Sequence, residues 1–111
     1  AAYLLTRVIS HPGPGRVCLD LGHKAVAAEN LIGRRVRFPA MPDARFVSQS
    51  EEHLVIEGIA PAAWPVGTPV LGIPIHVCPT VALHQEARVV RDHQLTGESW
   101  EIAARNRRIT V

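Results

Sequence analysis

His76-Val77-Cys78 sets an imidazole and a thiol two residues apart, just ahead of Pro79-Thr80. On a β-strand, residues i and i+2 share a face with side chains about 6–7 Å apart, so one ion could sit between them. Imidazole nitrogen and thiolate sulfur are donors that zinc prefers, at about 2.0 and 2.3 Å, and two protein ligands leave positions open for water or substrate. Open positions point to catalysis or substrate binding rather than to a structural site. The spacing alone also fits a packed core cysteine beside an unrelated histidine. A Cys78 nucleophile with His76 as its base is disfavoured, because parallel side chains on one strand do not reach each other with a hydrogen bond.

Ser50-Glu51-Glu52-His53 offers carboxylates and an imidazole to a site, or is simply a charged turn. Cys18 lies in an apolar run and reads as a small buried hydrophobe. His11, His84 and His93 fall in or beside turns and read as solvated. Lys24 is the sole lysine, yet nothing around it forms a phosphate cradle or an apolar pocket that would lower its pKa, so it reads as a surface residue. No glycine-rich phosphate loop is present, which argues against nucleotide binding.

The elements that must position these residues read as short β-runs broken by turn residues, with no sustained helical period. Strands are expected over 3–10 and 16–21 as a hairpin across Pro12-Gly13-Pro14-Gly15, then over 34–38, 44–49 and 54–58. A further strand over 69–78 places His76 and Cys78 at its end. The last two, 86–91 and 100–105, are joined by a loop in which Gly97 turns the chain. Lys24–Asn30 suits about two helical turns, and Thr80 suits the N-cap of a helical turn to Gln85. The Ser50–His53 tetrad falls on a strand-to-strand turn or at a strand edge.

Composition bounds the fold. With 111 residues, 47% hydrophobic and 20% charged, the chain fits a single domain over 1–111 that can bury a core. Net charge is +2 and the basic residues are dispersed, which argues against a nucleic-acid surface. No apolar run approaches the roughly 20 residues that span a bilayer, and the first residues lack the pattern of a signal peptide, so no membrane partner and a cytoplasmic location are expected. Two cysteines do not make a disulfide scaffold. The expected fold is mostly β: a small distorted β-barrel or sandwich of about seven to nine strands with one or two short helices. A start at Ala1-Ala2 without methionine suits an excised or separately expressed piece.

Four segments taken in order carry a resemblance: Gly15–Ala25 (GRVCLDLGHKA), Ser50–His53 (SEEH), Pro74–Thr80 (PIHVCPT) and Trp100–Arg105 (WEIAAR). Together they resemble the C-terminal domain of the D-serine dehydratase and D-threonine aldolase family, metal-activated relatives of the fold-type III, alanine racemase-like pyridoxal phosphate enzymes. The resemblance spans nearly the whole chain, and its specific part is P-x-H-x-C-P-T preceded by S-E-E-H.

The resemblance implies zinc held by His76 and Cys78, with Glu52, His53 and Thr80 as possible lining residues and no catalytic residue in this domain. It implies that pyridoxal phosphate and its lysine belong to an N-terminal (β/α)8 barrel, which needs about 250 residues and is not in this chain. Zinc would then help the substrate hydroxyl depart. The family's aldolases typically carry aspartate where this chain has Cys78, which favours D-serine dehydration to pyruvate and ammonia over retro-aldol cleavage. Leu54 follows His53 where the family often has glycine, so the local turn differs. The implied partners are a barrel from the same polypeptide or a dimer mate, a D-amino acid substrate and a second copy in a homodimer, with no activity in the isolated domain. A non-catalytic β-barrel interaction module is the alternative of another class.

Overall fold

The computed structural model describes residues 1–110. Eight strands make up most of the regular secondary structure: β1 (Leu4–Gly13), β2 (Arg16–Leu19), β3 (Val36–Arg37), β4 (Arg45–Gln49), β5 (Leu54–Glu57), β6 (Pro69–Pro74), β7 (Glu86–Arg91) and β8 (Gln94–Glu101). One short helix, α1 (Val77–Val81), lies between β6 and β7. The first six strands form an antiparallel sheet in the order β3-β6-β1-β2-β5-β4, curled into a half-barrel, and β7-β8 form a separate hairpin. The mostly β expectation and its strand count are met.

Alternation in the sequence builds the sheet. In β1, Leu4, Thr6 and Val8 turn inward while Leu5 and Arg7 face out, and β5 and β6 alternate in the same way. The inward set, with Val17, Leu19, Val36, Phe38, Met41, Leu54, Ile56 and Val70, forms a single core. Phe38 and Phe46 stack at 6.0 Å between ring centroids. Buried Thr6 satisfies its hydroxyl by donating to Asp20 Oδ1 at 2.5 Å.

Three expected elements differ. Residues 24–30 form an irregular loop rather than a helix. Val26 N–H reaches Gly22 O at 3.3 Å as in a helical turn, but Ala27 N–H is taken by Thr80 Oγ1 at 3.0 Å, so no helical ladder propagates. The final hairpin turns at Asp92-His93, both at positive φ (50° and 64°), which suits a type I′ turn. Gly97 instead lies inside β8 at φ 81°, in the bulge between the pairs Arg88–Ser99 and Val90–Leu95. That strand ends at Glu101, so the expected strand over 100–105 gives way to a 3₁₀ turn at Ala103–Arg105. The third difference is at the end of β6.

The β7-β8 hairpin leaves almost every residue exposed, including Val90, Leu95 and Trp100. Between it and the exposed Tyr3, just ahead of β1, with Leu5 and Leu71 of the sheet, lies an open, mainly apolar cleft of about 1840 Å³. Among the described residues no helix is long and apolar enough to cross a membrane.

Candidate functional site

Strand β6 ends at Pro74, not at Cys78. Ile75 N–H still reaches Arg35 O at 3.0 Å, but His76 then turns the chain (φ −107°, ψ 96°) into α1. Pro79 is the third residue of that helix, where a missing N–H costs nothing because the first-turn amides have no partner within the helix. The proline therefore sits inside the helix start instead of breaking a strand. His76 precedes the helix and Cys78 is its second residue, so the shared strand face expected for them does not exist. Thr80, expected as an N-cap, lies inside α1. It is 1% exposed, donates from Oγ1 to His76 O at 2.8 Å and accepts from Ala27 N–H, riveting the loop at 22–31 to the segment that carries His76.

The same loop supplies a residue absent from the sequence reading. The Glu29 carboxylate hydrogen-bonds His76 Nδ1, an ion pair when the ring is protonated. Glu29 is held below the usual carboxylate range, first by its own backbone N–H and then by His76 and the Arg35 charge. Arg35 also donates from Nε to Asn30 O at 2.8 Å and from Nη1 to Gln49 Oε1 at 2.7 Å, and His84 Nε2 meets Ala25 O at 2.8 Å. Those bonds hold the loop on both sides of Glu29. A carboxylate at Nδ1 places the ring proton there and leaves Nε2 with the lone pair that a metal takes.

Cys78 is exposed and carries a free thiol, whereas Cys18 is buried and free, so no disulfide links them. His76 and Cys78 stand two residues apart at the start of α1, where helical i and i+2 positions do not share a face. Among the described residues no group of three or more His, Cys, Asp and Glu could hold a metal ion. One imidazole and one thiol fit zinc with open positions. Pyridoxal phosphate does not fit this chain. Lys24 is exposed, donates to Glu52 at 2.7 Å and lies 3.5 Å from Glu51, and the Glu52 hydrogen bond holds its ammonium charged above the usual range. A Schiff-base lysine needs the opposite shift.

The Ser50–His53 tetrad forms the bend between β4 and β5, where a turn was expected. Its carbonyls accept from the loop: His23 N–H to Ser50 O at 2.9 Å and Lys24 N–H to Glu51 O at 3.1 Å. The approach is close enough that a Cβ on Gly22 would lie 2.0 Å from Glu51 O. Glu52 and His53 are exposed, and the Glu52 carboxylate meets Lys24, at the end of the loop opposite Glu29. The structure thus brings Thr80 and Glu29 to His76 and joins Glu52 to Lys24. Nothing in a single sequence marks Glu29, which lies 47 residues from its partner.

Residues 1–90 match the family described as "Putative serine dehydratase domain". A D-threonine aldolase of Arthrobacter sp. is 36% identical over 93% of this chain, which spans 26% of that protein. An uncharacterised protein of Mycobacterium tuberculosis (strain H37Rv) is 34% identical over 96% of this chain and 82% of its own length. The crystal structure of a D-threonine aldolase from Filomicrobium marinum superposes with a TM-score of 0.78 at 26% identity, over 93% of this chain and 28% of that one. The chain therefore spans about a quarter of the length of the aldolases it matches and most of the mycobacterial protein. It belongs to the serine dehydratase domain family, the β-rich C-terminal domain of D-serine dehydratase- and D-threonine aldolase-like enzymes.

Proposed function

We propose that this chain is the zinc-bearing domain of a pyridoxal phosphate-dependent enzyme acting on D-3-hydroxy amino acids, with D-serine dehydration as its reaction. The observation that carries the reading is His76, backed at Nδ1 by Glu29, with the exposed thiol of Cys78 two residues on. His76 Nε2 and Cys78 Sγ would hold the metal, which as a Lewis acid eases departure of a hydroxyl, a poor leaving group. The chain's own part is to present one imidazole nitrogen and one thiolate outward from a braced helix start and to keep the remaining positions free for substrate. Pyridoxal phosphate and its lysine belong to a barrel of the same polypeptide or of a dimer mate, and the domain alone is inactive. The open apolar cleft beside the hairpin supports association with such a partner.

Cysteine at position 78, where the resemblance implies aspartate in the aldolases, favours dehydration. Retro-aldol cleavage is the second reading, favoured by the 36% identity to an aldolase. The test is zinc content, pyruvate release from D-serine and aldehyde release from D-threonine, measured on the full-length polypeptide beside His76→Ala and Cys78→Ala. Zinc-dependent pyruvate release that falls at least about 100-fold in both variants supports the reading. Zinc-dependent aldehyde release without pyruvate moves it to the aldolase, and turnover indifferent to zinc and to both substitutions overturns the metal assignment.

A further inference from the structure

We infer that Glu29 is the positioning residue of His76: it fixes the ring as the Nδ1–H tautomer and aims Nε2 outward as the coordinating nitrogen. The inference rests on the proposed metal site but concerns a different residue and a different property. The Glu29 carboxylate meets Nδ1, the nitrogen nearer the backbone, so the nitrogen left for a ligand is the one farther from it. A neutral imidazole has one donor and one acceptor nitrogen, and an anionic acceptor at Nδ1 decides which is which. The same contact restricts ring rotation and makes Nε2 a better donor to a cation.

Construction around Glu29 matches this role. His76 and Glu29 are both about half exposed (53% and 46% of the side chain), so neither is fixed by packing alone. Their backbones are fixed instead. The His76 carbonyl is held by Thr80 Oγ1, and the loop before Glu29 by Thr80 Oγ1 at Ala27 and His84 at Ala25. After Glu29, Arg35 Nε holds the Asn30 carbonyl at 2.8 Å. A loop pinned at three points has a defined side-chain origin, so the carboxylate reaches one ring nitrogen without an ordering cost at each encounter. Glu51 and Glu52, the other carboxylates near the loop, are drawn to Lys24 and do not substitute for it.

The experiment uses the 111-residue chain, wild type beside Glu29→Ala and Glu29→Gln, with Glu57→Ala as the control because Glu57 pairs with Arg16 and Arg45 on the sheet. Imidazole nitrogen NMR of the metal-free chain, at a pH where the ring is neutral, reads the His76 tautomer. Titration with zinc chloride, in competition with a chromogenic chelator, reads affinity. Wild type is expected as Nδ1–H. Glu29→Ala is expected to move to Nε2–H, the usual form in water, and to bind zinc about 10–100-fold more weakly. Glu29→Gln, whose amide oxygen still accepts from Nδ1–H, is expected to keep the tautomer and recover part of the affinity, while Glu57→Ala changes neither.

A wild-type Nε2–H ring, a tautomer that Glu29→Ala leaves unchanged, or a measurable wild-type zinc affinity that Glu29→Ala leaves unchanged overturns the inference. A wild-type chain that binds no zinc although its His76 is Nδ1–H and responds to Glu29→Ala tells against the metal site while upholding the part assigned to Glu29. The two failures are therefore distinct.

Discussion

The curled sheet and the β7-β8 hairpin use apolar residues in opposite ways. In the sheet, Val17, Leu19 and Ile56 are 0% exposed, whereas in the hairpin Trp100 is 59% and Leu95 72% exposed. A two-stranded hairpin alone is at best marginally stable in water, because it has only one layer and nothing to bury its side chains against. The sheet therefore carries the stability of the chain, and the hairpin presents apolar surface to something else. The site at His76 lies between these regimes: its side chains are exposed like the hairpin's, but its backbone is tied to the core through Thr80.

The sharpest way to break this comparison is to truncate one large side chain in each region. Ile56→Ala removes fully buried methylenes and leaves a cavity, so urea denaturation is expected to show a loss of about 2–5 kcal/mol. Trp100→Ala, despite the larger side chain, is expected to cost about 0.5 kcal/mol in the isolated chain, as for surface substitutions. Equal losses at the two positions would show that the hairpin is packed as part of the core.

Next in size is Gly22→Ala, which tests how tightly the site loop is bound to the sheet. The added Cβ would fall 2.0 Å from Glu51 O and 2.3 Å from Glu52 N, so the backbone of the loop or of the β4-β5 bend must move. A loss of about 1–3 kcal/mol is expected in the same denaturation assay, as for other overpacking substitutions. Because the loop carries Glu29, the His76 tautomer population should shift with it. A neutral Gly22→Ala would mean that the bend does not hold the loop.

The sheet was legible because its signal is period two: Leu4-Leu5-Thr6-Arg7-Val8 and Leu54-Val55-Ile56-Glu57 announce which residues turn inward. The His-x-Cys pair was legible by residue type, but its geometry was not. Ile73, Ile75 and Val77 continue the β-pattern, and Pro79 reads as a breaker when it in fact occupies the first turn of α1. The alanine-rich run at 25–28 has helical propensity, yet Thr80, more than fifty residues later, takes the Ala27 amide, and one such competitor suffices in so short a segment. Asp92-His93 lacks the glycine that usually marks a two-residue turn, so Gly97 drew the turn to itself although it serves a bulge. Glu29 was invisible for the same reason as the Thr80 contact: both are made by tertiary structure, which leaves no spacing to read.

The smallest expected effect separates the two cysteines by environment. Cys18, 6% exposed on β2, has its thiol pushed up chiefly by burial and also by the Asp20 charge, offset in part by a hydrogen bond with Ser10. Cys78 is exposed at the start of α1. Alkylation of the native, metal-free chain is therefore expected to modify Cys78 first and to reach Cys18 only as fast as the sheet opens. Raising the pH adds a stability term with a definite sign. The unfolded thiol ionises near the usual value of about 8.5, while the folded thiol stays neutral to higher pH. The stabilisation is complete below that unfolded value and is lost as the pH rises toward and through the folded one. Denaturation at about pH 7 and about pH 10 should show a decline that Cys18→Val lessens. Equal labelling rates, or a decline that Cys18→Val leaves untouched, would mean that Cys18 is not sealed in the sheet and that the core is looser than its burial implies.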